Sequence, residues 1–359
     1  MDLFDVRNYQ YTLPEELIAA EPLEQRDRSR LLVVNRKSRT LEHRIFSEIP
    51  SILDPGTVIV ANNTRVIRAR LLGEREDTGG KVEFFMLRRV ESACWEGLMK
   101  TGARVVPGFL FKIPDREGGW VRAEVIRREE SPAGVILTAK FSRDPVEADI
   151  GEVPLPPYIV AKRKEWGPEE LETYNTVFGT RAGSVAAPTA GRHFTPELIG
   201  RLRSEGMDWQ ELTLHVGIGT FKPVSVADVR DHVMHAEPVE ISPTVAESLN
   251  ASKRAGKTIL AVGTTTTRAL EGRSVPGAEG FDLVPGVSDV NLFIHPGSGY
   301  QWKFTDAMIT NFHLPGSTLI MMIASFIGDL GFTLSVYEEA VRERYRFYSY
   351  GDAMLILDR

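Results

Sequence analysis

The chain has 359 residues, 42% hydrophobic and 26% charged, which is enough for a large core and, by length, roughly two domains. Its single cysteine, Cys94, excludes an internal disulfide framework and a cysteine-rich zinc site and suits a reducing, cytoplasmic setting. A net charge of −6 argues against a general nucleic-acid coat while leaving room for a local basic patch; with no secretory leader and no apolar run of about 18 residues, no membrane partner is expected.

In chain order, residues 14–18 read as a short helix with proline in its first turn and residues 30–34 as a strand. Residues 58–61 read as a buried strand ending in the polar cluster Asn62-Asn63-Thr64-Arg65. From Arg70 the character changes. Runs at 81–88, 95–100, 109–113, 120–128 and 134–141 are β-rich, and turn signals at 78–81, 107–108, 114–115 and 131–132 separate them. Residues 70–154 are therefore expected to form an inserted all-β domain, a small barrel or sandwich. Beyond it, residues 168–178 read as a helix. Thr195-Pro196 and Ser242-Pro243 each open another, with a capping hydroxyl, proline at the first position, and Gly206 or Gly256 past the end. Strands are expected at 211–216, 239–241, 258–262, 291–294 and 353–357, and a buried helix at 319–327. The alternation predicts an α/β domain with a mixed sheet, built from both chain ends, residues 1–69 and 155–359.

Six of the seven histidines fall between His193 and His313, beside Gly-Thr loops, which raises the odds of a site. The run from Gly183 to Thr195, containing Ser184, Thr189 and His193, is made of small residues that let backbone approach a ligand; a plain connection is the bland alternative. His215-Val-Gly217-Ile-Gly219-Thr220-Phe221 shares those features, without a dinucleotide fingerprint. His232-Val-Met-His235-Ala-Glu237 offers ligand types for a metal, but it is not a His-Glu-x-x-His helix, so a polar substrate loop is the favoured reading and no metal is expected. Residues 259–271 read as strand, glycine turn, hydroxyl cluster and helix. That grammar aims backbone N–H groups and the hydroxyls of the Thr264 to Thr267 cluster at an anion, with Arg268 nearby, unless the segment is an ordinary helix cap. Asn311 and His313 fall on one side of an extended chain just before the buried helix. The stretch Tyr345-Arg-Phe-Tyr-Ser-Tyr350-Gly-Asp352 suits stacking on a base or core packing alike. Arg65, Arg68, Lys162, Arg163 and Lys164 are the basic candidates for phosphate contact, although solvated surface charge is the commoner meaning of such clusters.

Taken together, Leu13-Pro-Glu-Glu-Leu-Ile18, Ser29-Arg-Leu-Leu-Val-Val34, Asn62-Asn-Thr-Arg-Val-Ile67, Gly183-Ser-Val-Ala-Ala-Pro-Thr-Ala-Gly191, Thr213-Leu-His-Val-Gly217, His232-Val-Met-His235, Val262-Gly-Thr-Thr265, Ile309-Thr-Asn-Phe-His-Leu-Pro315 and Tyr348-Ser-Tyr-Gly-Asp-Ala-Met354 resemble the S-adenosylmethionine:tRNA ribosyltransferase-isomerase family of queuosine biosynthesis. The likeness spans nearly the whole chain. Three places depart from the pattern: Asn63 where Asp is expected, Arg192 where Leu is usual, and a lengthened segment at 288–293.

The resemblance implies an α/β domain carrying an inserted β-barrel. It implies a monomeric enzyme that moves the ribosyl portion of S-adenosylmethionine onto 7-aminomethyl-7-deazaguanine in tRNA, giving epoxyqueuosine and releasing adenine and methionine. S-adenosylmethionine is then a consumed substrate, and no cofactor is expected. The sulfonium acidifies the adjoining ribose CH₂, so a base is needed, with donors for the adenine and carboxylate groups. His313 is the first expectation for the base and His215 the second; the Thr264 to Thr267 cluster, Thr264 and Thr265 first, and Arg268 are expected to hold an anionic group. Ser184, Thr189, His193, Gly217, Gly219, Thr220, Phe221, His232, His235 and Asn311 are expected around the substrate, and the five basic residues against tRNA. Two other classes stay open on the residues alone: a histidine-metal hydrolase or deaminase acting on a nucleoside, which metal analysis would separate, and a non-catalytic tRNA-binding factor, which adenine release would separate.

Overall fold

The computed structural model describes residues 2–131, 134–163, 167, 169–217 and 224–358. The strands β1 (Arg30–Asn35) and β2 (Thr40–Ile45) form an antiparallel hairpin, α1 (Ile49–Ile52) leads into β3 (Val58–Asn62), and β4 (Thr64–Val66) ends just short of a barrel. That barrel is built from β5 (Arg70–Arg75), β6 (Lys81–Glu91), β7 (Cys94–Thr101), β8 (Leu110–Pro114), β9 (Trp120–Ser131) and β10 (Gly134–Phe141). It closes in the order β10-β7-β6-β5-β8-β9, all pairs antiparallel, which leaves no open edge. Phe84, Phe111 and Phe141 fill its interior, with ring centroids 5.7 to 5.9 Å apart. The chain enters and leaves side by side: Arg70 and Glu152 exchange backbone hydrogen bonds of 3.2 and 2.8 Å, and their side chains pair at 3.0 Å.

After the barrel come α2 (Pro157–Lys162), α3 (Glu170–Tyr174) and β11 (Arg181–Ser184), the last pairing in parallel with β4. The helix expected over 168–178 shortens to α3 because Asn175 leaves it: its carboxamide oxygen accepts the N–H of Val66 at 2.7 Å. Next are α4 (Pro196–Ser204), β12 (Asp208–Leu214), β13 (Glu237–Ile241), α5 (Pro243–Arg254), β14 (Ile259–Val262) and α6 (Thr264–Gly272). The hydroxyls of Thr195 and Ser242 cap α4 and α5, accepting from Leu198 N at 3.1 Å and Val245 N at 3.3 Å. A small hairpin, β15 (Ser274–Pro276) and β16 (Phe281–Leu283), precedes β17 (Gly286–Val290) and β18 (Ala307–Asn311). The chain finishes with α7 (Thr318–Ile327), α8 (Leu330–Arg342) and β19 (Ala353–Leu357). The strand expected at 291–294 is irregular. The ladder to β13 lies one step earlier, in β17, and the apolar signal came instead from Ile294, which is buried without strand pairing.

Nine strands make one mixed sheet in the order β17-β13-β12-β3-β14-β18-β19-β1-β2. Both faces of its centre are covered, so its strands are continuous apolar runs rather than alternating ones. Leu31, Ile59, Leu260, Ile309 and Leu355 share one core with α4, whereas Leu32, Met308 and Ile356 face α7 and α8, and Val60 and Ala261 face α5 and α6. The parallel strands β12, β3, β14 and β18 bring their carboxyl ends to one edge, at Leu214, Asn62, Val262 and Asn311. In open α/β sheets that edge is where ligands bind. Among the described residues no single helix is long and apolar enough to cross a membrane.

The barrel interior predicts its own weak point. A Cβ on Gly97 would lie 2.5 Å from the Phe84 ring and 2.5 Å from the Phe85 carbonyl oxygen. Gly97→Ala should destabilise the protein by about 1–3 kcal/mol through overpacking. Urea unfolding of the purified variant measures this, and an unchanged midpoint would contradict it.

Candidate active site

At the carboxyl edge of the sheet, β14 ends in Gly263, whose φ of +90° turns the chain abruptly into α6. Glycine takes that angle without a Cβ clash. No side chain caps α6, and its first internal hydrogen bond runs from Thr267 N to Gly263 O at 3.1 Å, so the amides of the first turn face outward. Thr266 and Thr267 turn their hydroxyls back onto the carbonyls of Val262 and Gly263, at 2.7 and 3.1 Å. Thr264 and Thr265, one and two residues into the helix, instead line a cavity of about 450 Å³. Asn62 braces this turn: its amide donates to Leu214 O at 2.9 Å and to Thr265 Oγ1 at 3.3 Å. An uncapped helix start with hydroxyls beside it is suited to an anionic group.

The end of β18 supplies another wall, with Thr310, Asn311 and His313 all lining the cavity. The strand stops at Asn311, so the simple alternation expected for an extended chain fails beyond it. His313 folds back to Thr310, whose Oγ1 is 2.7 Å from its Nε2, while Asn311 points to the other face of the strand. The His313 backbone is held as well, its N–H donating to the Tyr337 hydroxyl at 3.4 Å and its carbonyl accepting from Tyr11. Burial pushes the His313 imidazole down to about 3, so it is neutral near pH 7.

Asn311 is 4% exposed and fully engaged. Its oxygen accepts from Thr189 Oγ1 at 3.0 Å, and its NH₂ donates to His193 Nε2 at 3.1 Å and to Asp352 O at 3.3 Å. Because Nε2 accepts, the His193 proton sits on Nδ1, which points 2.7 Å away to Ser29 Oγ. His193 also packs on Phe46 with centroids 5.0 Å apart, and burial, reinforced by the charges of Arg192 and Arg346, pushes it down to about 3. It lies behind the cavity wall and orients Asn311.

Other expected residues sit further out. The Ser184 hydroxyl donates to Ala186 O at 2.7 Å and accepts from Val216 N at 2.9 Å, pinning two cavity-lining segments together without lining the cavity itself. Gly217 N donates to Glu237 Oε1 at 3.0 Å. Arg268, expected as an anion ligand, is one turn inside α6 and turned toward β13, where its guanidinium meets Glu237 Oε2 at 2.6 Å; it does not line the cavity. His215, the second base expectation, is also outside the cavity wall: its Nδ1 meets Thr64 Oγ1 at 2.7 Å, and its ring packs so closely on Gly183 that a Cβ there would come within 2.9 Å. Burial and the Arg181 charge push its pKa down. His232 meets Phe293 edge-on at 5.1 Å, and His235 lends its carbonyl to Arg268 at 3.4 Å; neither lines the cavity. Among the described residues no group of three or more His, Cys, Asp or Glu side chains is placed to hold a metal ion. Gly219, Thr220, Phe221 and Lys164 lie outside the described residues.

The expected tRNA contacts are engaged within the protein. Arg65 pairs with Glu172, Arg68 with Asp149 at 3.0 Å and Arg163 with Glu170 at 2.9 Å, while Lys162 donates to the carbonyls of Glu15 and Ile18 at 2.6 and 3.2 Å. Thr310 and Tyr158 line the cavity without having had a place in the sequence-based site. Thr310 is the hydrogen-bond partner of His313, a pairing that depends on the chain turning after Asn311. Tyr158, at the start of α2 behind two prolines, stacks on Tyr348 with centroids 4.6 Å apart, and both line the cavity.

A family profile described as "Queuosine biosynthesis protein" matches residues 6–356. The S-adenosylmethionine:tRNA ribosyltransferase-isomerase of Clostridium kluyveri is 44% identical over 356 residues, covering 98% of this chain and 99% of its own. Its counterpart from Clostridioides difficile is 43% identical over 354 residues, with the same shares covered. Among solved structures, an S-adenosylmethionine tRNA ribosyltransferase from Thermotoga maritima is 35% identical with a TM-score of 0.53, matching 98% of this chain and 100% of that one. A profile match over almost the entire chain, with relatives of this identity covering it nearly end to end, means that the chain belongs to the queuosine biosynthesis family of S-adenosylmethionine:tRNA ribosyltransferase-isomerases.

Proposed function

We propose that this protein transfers and isomerises the ribosyl moiety of S-adenosylmethionine onto 7-aminomethyl-7-deazaguanine in tRNA, giving epoxyqueuosine-tRNA with release of adenine and methionine. The observation that carries this reading is one cavity of about 450 Å³, within the usual range for small-molecule sites, that holds a neutral imidazole and an uncapped helix start together. The first-turn amides of α6, with Thr264 and Thr265, take the methionine carboxylate. Thr189, whose hydroxyl proton is donated to Asn311, presents its remaining oxygen lone pairs to the ribose hydroxyls.

His313 removes the proton from the ribose CH₂ that the sulfonium acidifies, and the ribose opens with loss of adenine. In the tautomer whose Nε2–H donates to Thr310 Oγ1, 2.7 Å away, the Nδ1 lone pair is the acceptor. The burial that keeps the ring neutral also makes its imidazolium costly, and the carboxylate sharing the cavity offsets that cost. S-adenosylmethionine is consumed, so the reading needs neither cofactor nor metal, and it places a monomer in the cytoplasm with tRNA as its macromolecular partner. Of the expected tRNA cations among the described residues, Lys162, which is exposed, and Arg65, with its side chain 29% exposed, are retained, whereas Arg68 and Arg163 are 14% and 19% exposed.

The direct test is adenine and methionine release from S-adenosylmethionine and tRNA carrying the precursor base. His313→Gln should keep the fold and substrate binding while turnover falls at least about a hundredfold. Near-normal turnover in the folded variant would remove His313 from the role. The wild-type pH profile should lack a His313 limb near the ordinary value of roughly 6.5, because burial has moved that titration to about 3. Stability follows with a fixed sign. Below pH 6.5 the unfolded chain takes up protons that His193 and His313 refuse in the fold, so each should cost roughly 1 kcal/mol per pH unit as pH falls from 6.5 toward 3, and neither should matter above 6.5. Urea unfolding at pH 7 and pH 5, with and without His193→Gln, measures that difference. Chelator-treated enzyme should retain turnover once tRNA folding is controlled for; activity restored only by stoichiometric zinc would overturn the metal-free chemistry.

A further inference from the structure

One wall of the cavity plays no part in proton removal or carboxylate binding. Tyr158 and Tyr348 line it, their rings 4.6 Å apart and tilted by 40°. Tyr348 has a φ of +71°, a left-handed conformation that is a genuine outlier for so bulky a side chain. Such a conformation persists only where its surroundings over-determine it. Here they do. Tyr348 N donates to Phe312 O at 3.1 Å, and Tyr348 O accepts from Gly351 N at 2.9 Å. The next residue is gripped at both ends, Ser349 N donating to the Tyr158 hydroxyl at 3.0 Å and Ser349 O accepting from Arg192 Nη1 at 3.0 Å. Arg192 is itself buried, lies over the Tyr350 ring at 4.2 Å and is anchored to Thr173 O at 2.9 and 3.0 Å.

Four independent hydrogen bonds thus hold an aromatic ring at the cavity wall in a conformation that glycine would adopt without strain. Tyr158 contributes twice, through its ring and through its hydroxyl on Ser349. We propose that the Tyr158–Tyr348 pair is a stacking platform for a flat purine-like ring of the substrate. This rests on the reaction proposed above, which brings two such rings to the enzyme: the adenine of S-adenosylmethionine and the 7-deazaguanine of the tRNA. Stacking of this kind tolerates either, since both present a π-face, and losing an aromatic partner weakens such contacts about tenfold or more.

The test compares Tyr348→Gly and Tyr348→Phe with the wild-type enzyme. Tyr348→Gly removes the ring while relieving the backbone, so the fold should survive, and circular dichroism with a thermal midpoint checks that it does. Binding of S-adenosylmethionine, adenosine and methionine is measured by calorimetry, and binding of tRNA with and without the precursor base by filter retention. If the platform holds adenine, Tyr348→Gly weakens S-adenosylmethionine and adenosine about tenfold or more and leaves methionine unchanged, while Tyr348→Phe restores affinity. If it holds the deazaguanine, adenosine is unaffected and the variant loses its preference for tRNA carrying the precursor base. A folded Tyr348→Gly protein with wild-type affinity for every probe overturns the proposal. So does a Tyr348→Phe protein as impaired as the glycine variant, because its ring is intact. Wild-type enzyme that binds adenosine but releases no adenine from the full substrate pair would sink the proposed reaction instead, and the binding comparison would still decide the platform.

Discussion

Asn311 sits where β18 ends, almost cut off from water, with a carboxamide that must be fully satisfied because an unpaired buried donor or acceptor is costly. Two separate segments meet that requirement: the turn Thr189–His193, through the Thr189 hydroxyl and the His193 ring, and the approach to β19, through the Asp352 carbonyl. His193 can accept only as the Nδ1–H tautomer, and that tautomer needs Ser29. One amide thereby sets the protonation of a buried histidine, the path of a loop and the entry of the last strand. The two cavity walls beside it follow, because Thr310 and His313 flank Asn311 and the tyrosine segment precedes Asp352.

The larger architecture was readable because the barrel and the sheet leave different marks. Barrel strands alternate buried and exposed positions and are divided by Gly and Pro turns, as at Pro107-Gly108, whereas the central strands of the sheet, such as β3 and β14, are apolar throughout because both of their faces are covered. What escaped has a physical cause in each case. The edge strand β2, with Glu42, His43 and Arg44 at its centre, carries little apolar signal. The segment at 291–294 carries one, but Ile294 is buried outside the ladder. Local pattern reports burial, and burial does not require a strand.

The site divides the same way. Glycine turns and hydroxyl runs are local, so the Gly263-Thr264 junction could be expected from spacing, whereas Asn311 and His313 share the cavity only because the chain turns after Asn311. The direction of a long side chain is not local. Arg268 follows its helix inward by one turn and finds Glu237 on β13, a partner 31 residues away that no spacing rule names. Tyr158 and Tyr348, 190 residues apart by number, become neighbours only through the fold, and the clamp on Ser349 that holds them uses Arg192 from a third segment. His313 illustrates a further limit: its neutrality comes from burial, which sequence neighbours do not disclose.

The position of β19 has a consequence for biosynthesis. All six barrel strands are in hand once the ribosome has passed Phe141, but the β1–β2 hairpin joins the sheet only through β19, which pairs with β1 on one side and β18 on the other. The first hairpin therefore waits about 320 residues of synthesis for the strand that binds it, a long-range closure of the kind that slows folding. The Asp352 carbonyl and the Tyr348 wall emerge in the same late stretch. A nascent or truncated chain can thus display a finished barrel, most of a sheet and the cavity lining as far as Leu319, yet it lacks the tyrosine wall and the carbonyl that satisfies Asn311: the pocket is completed only with the closing strand.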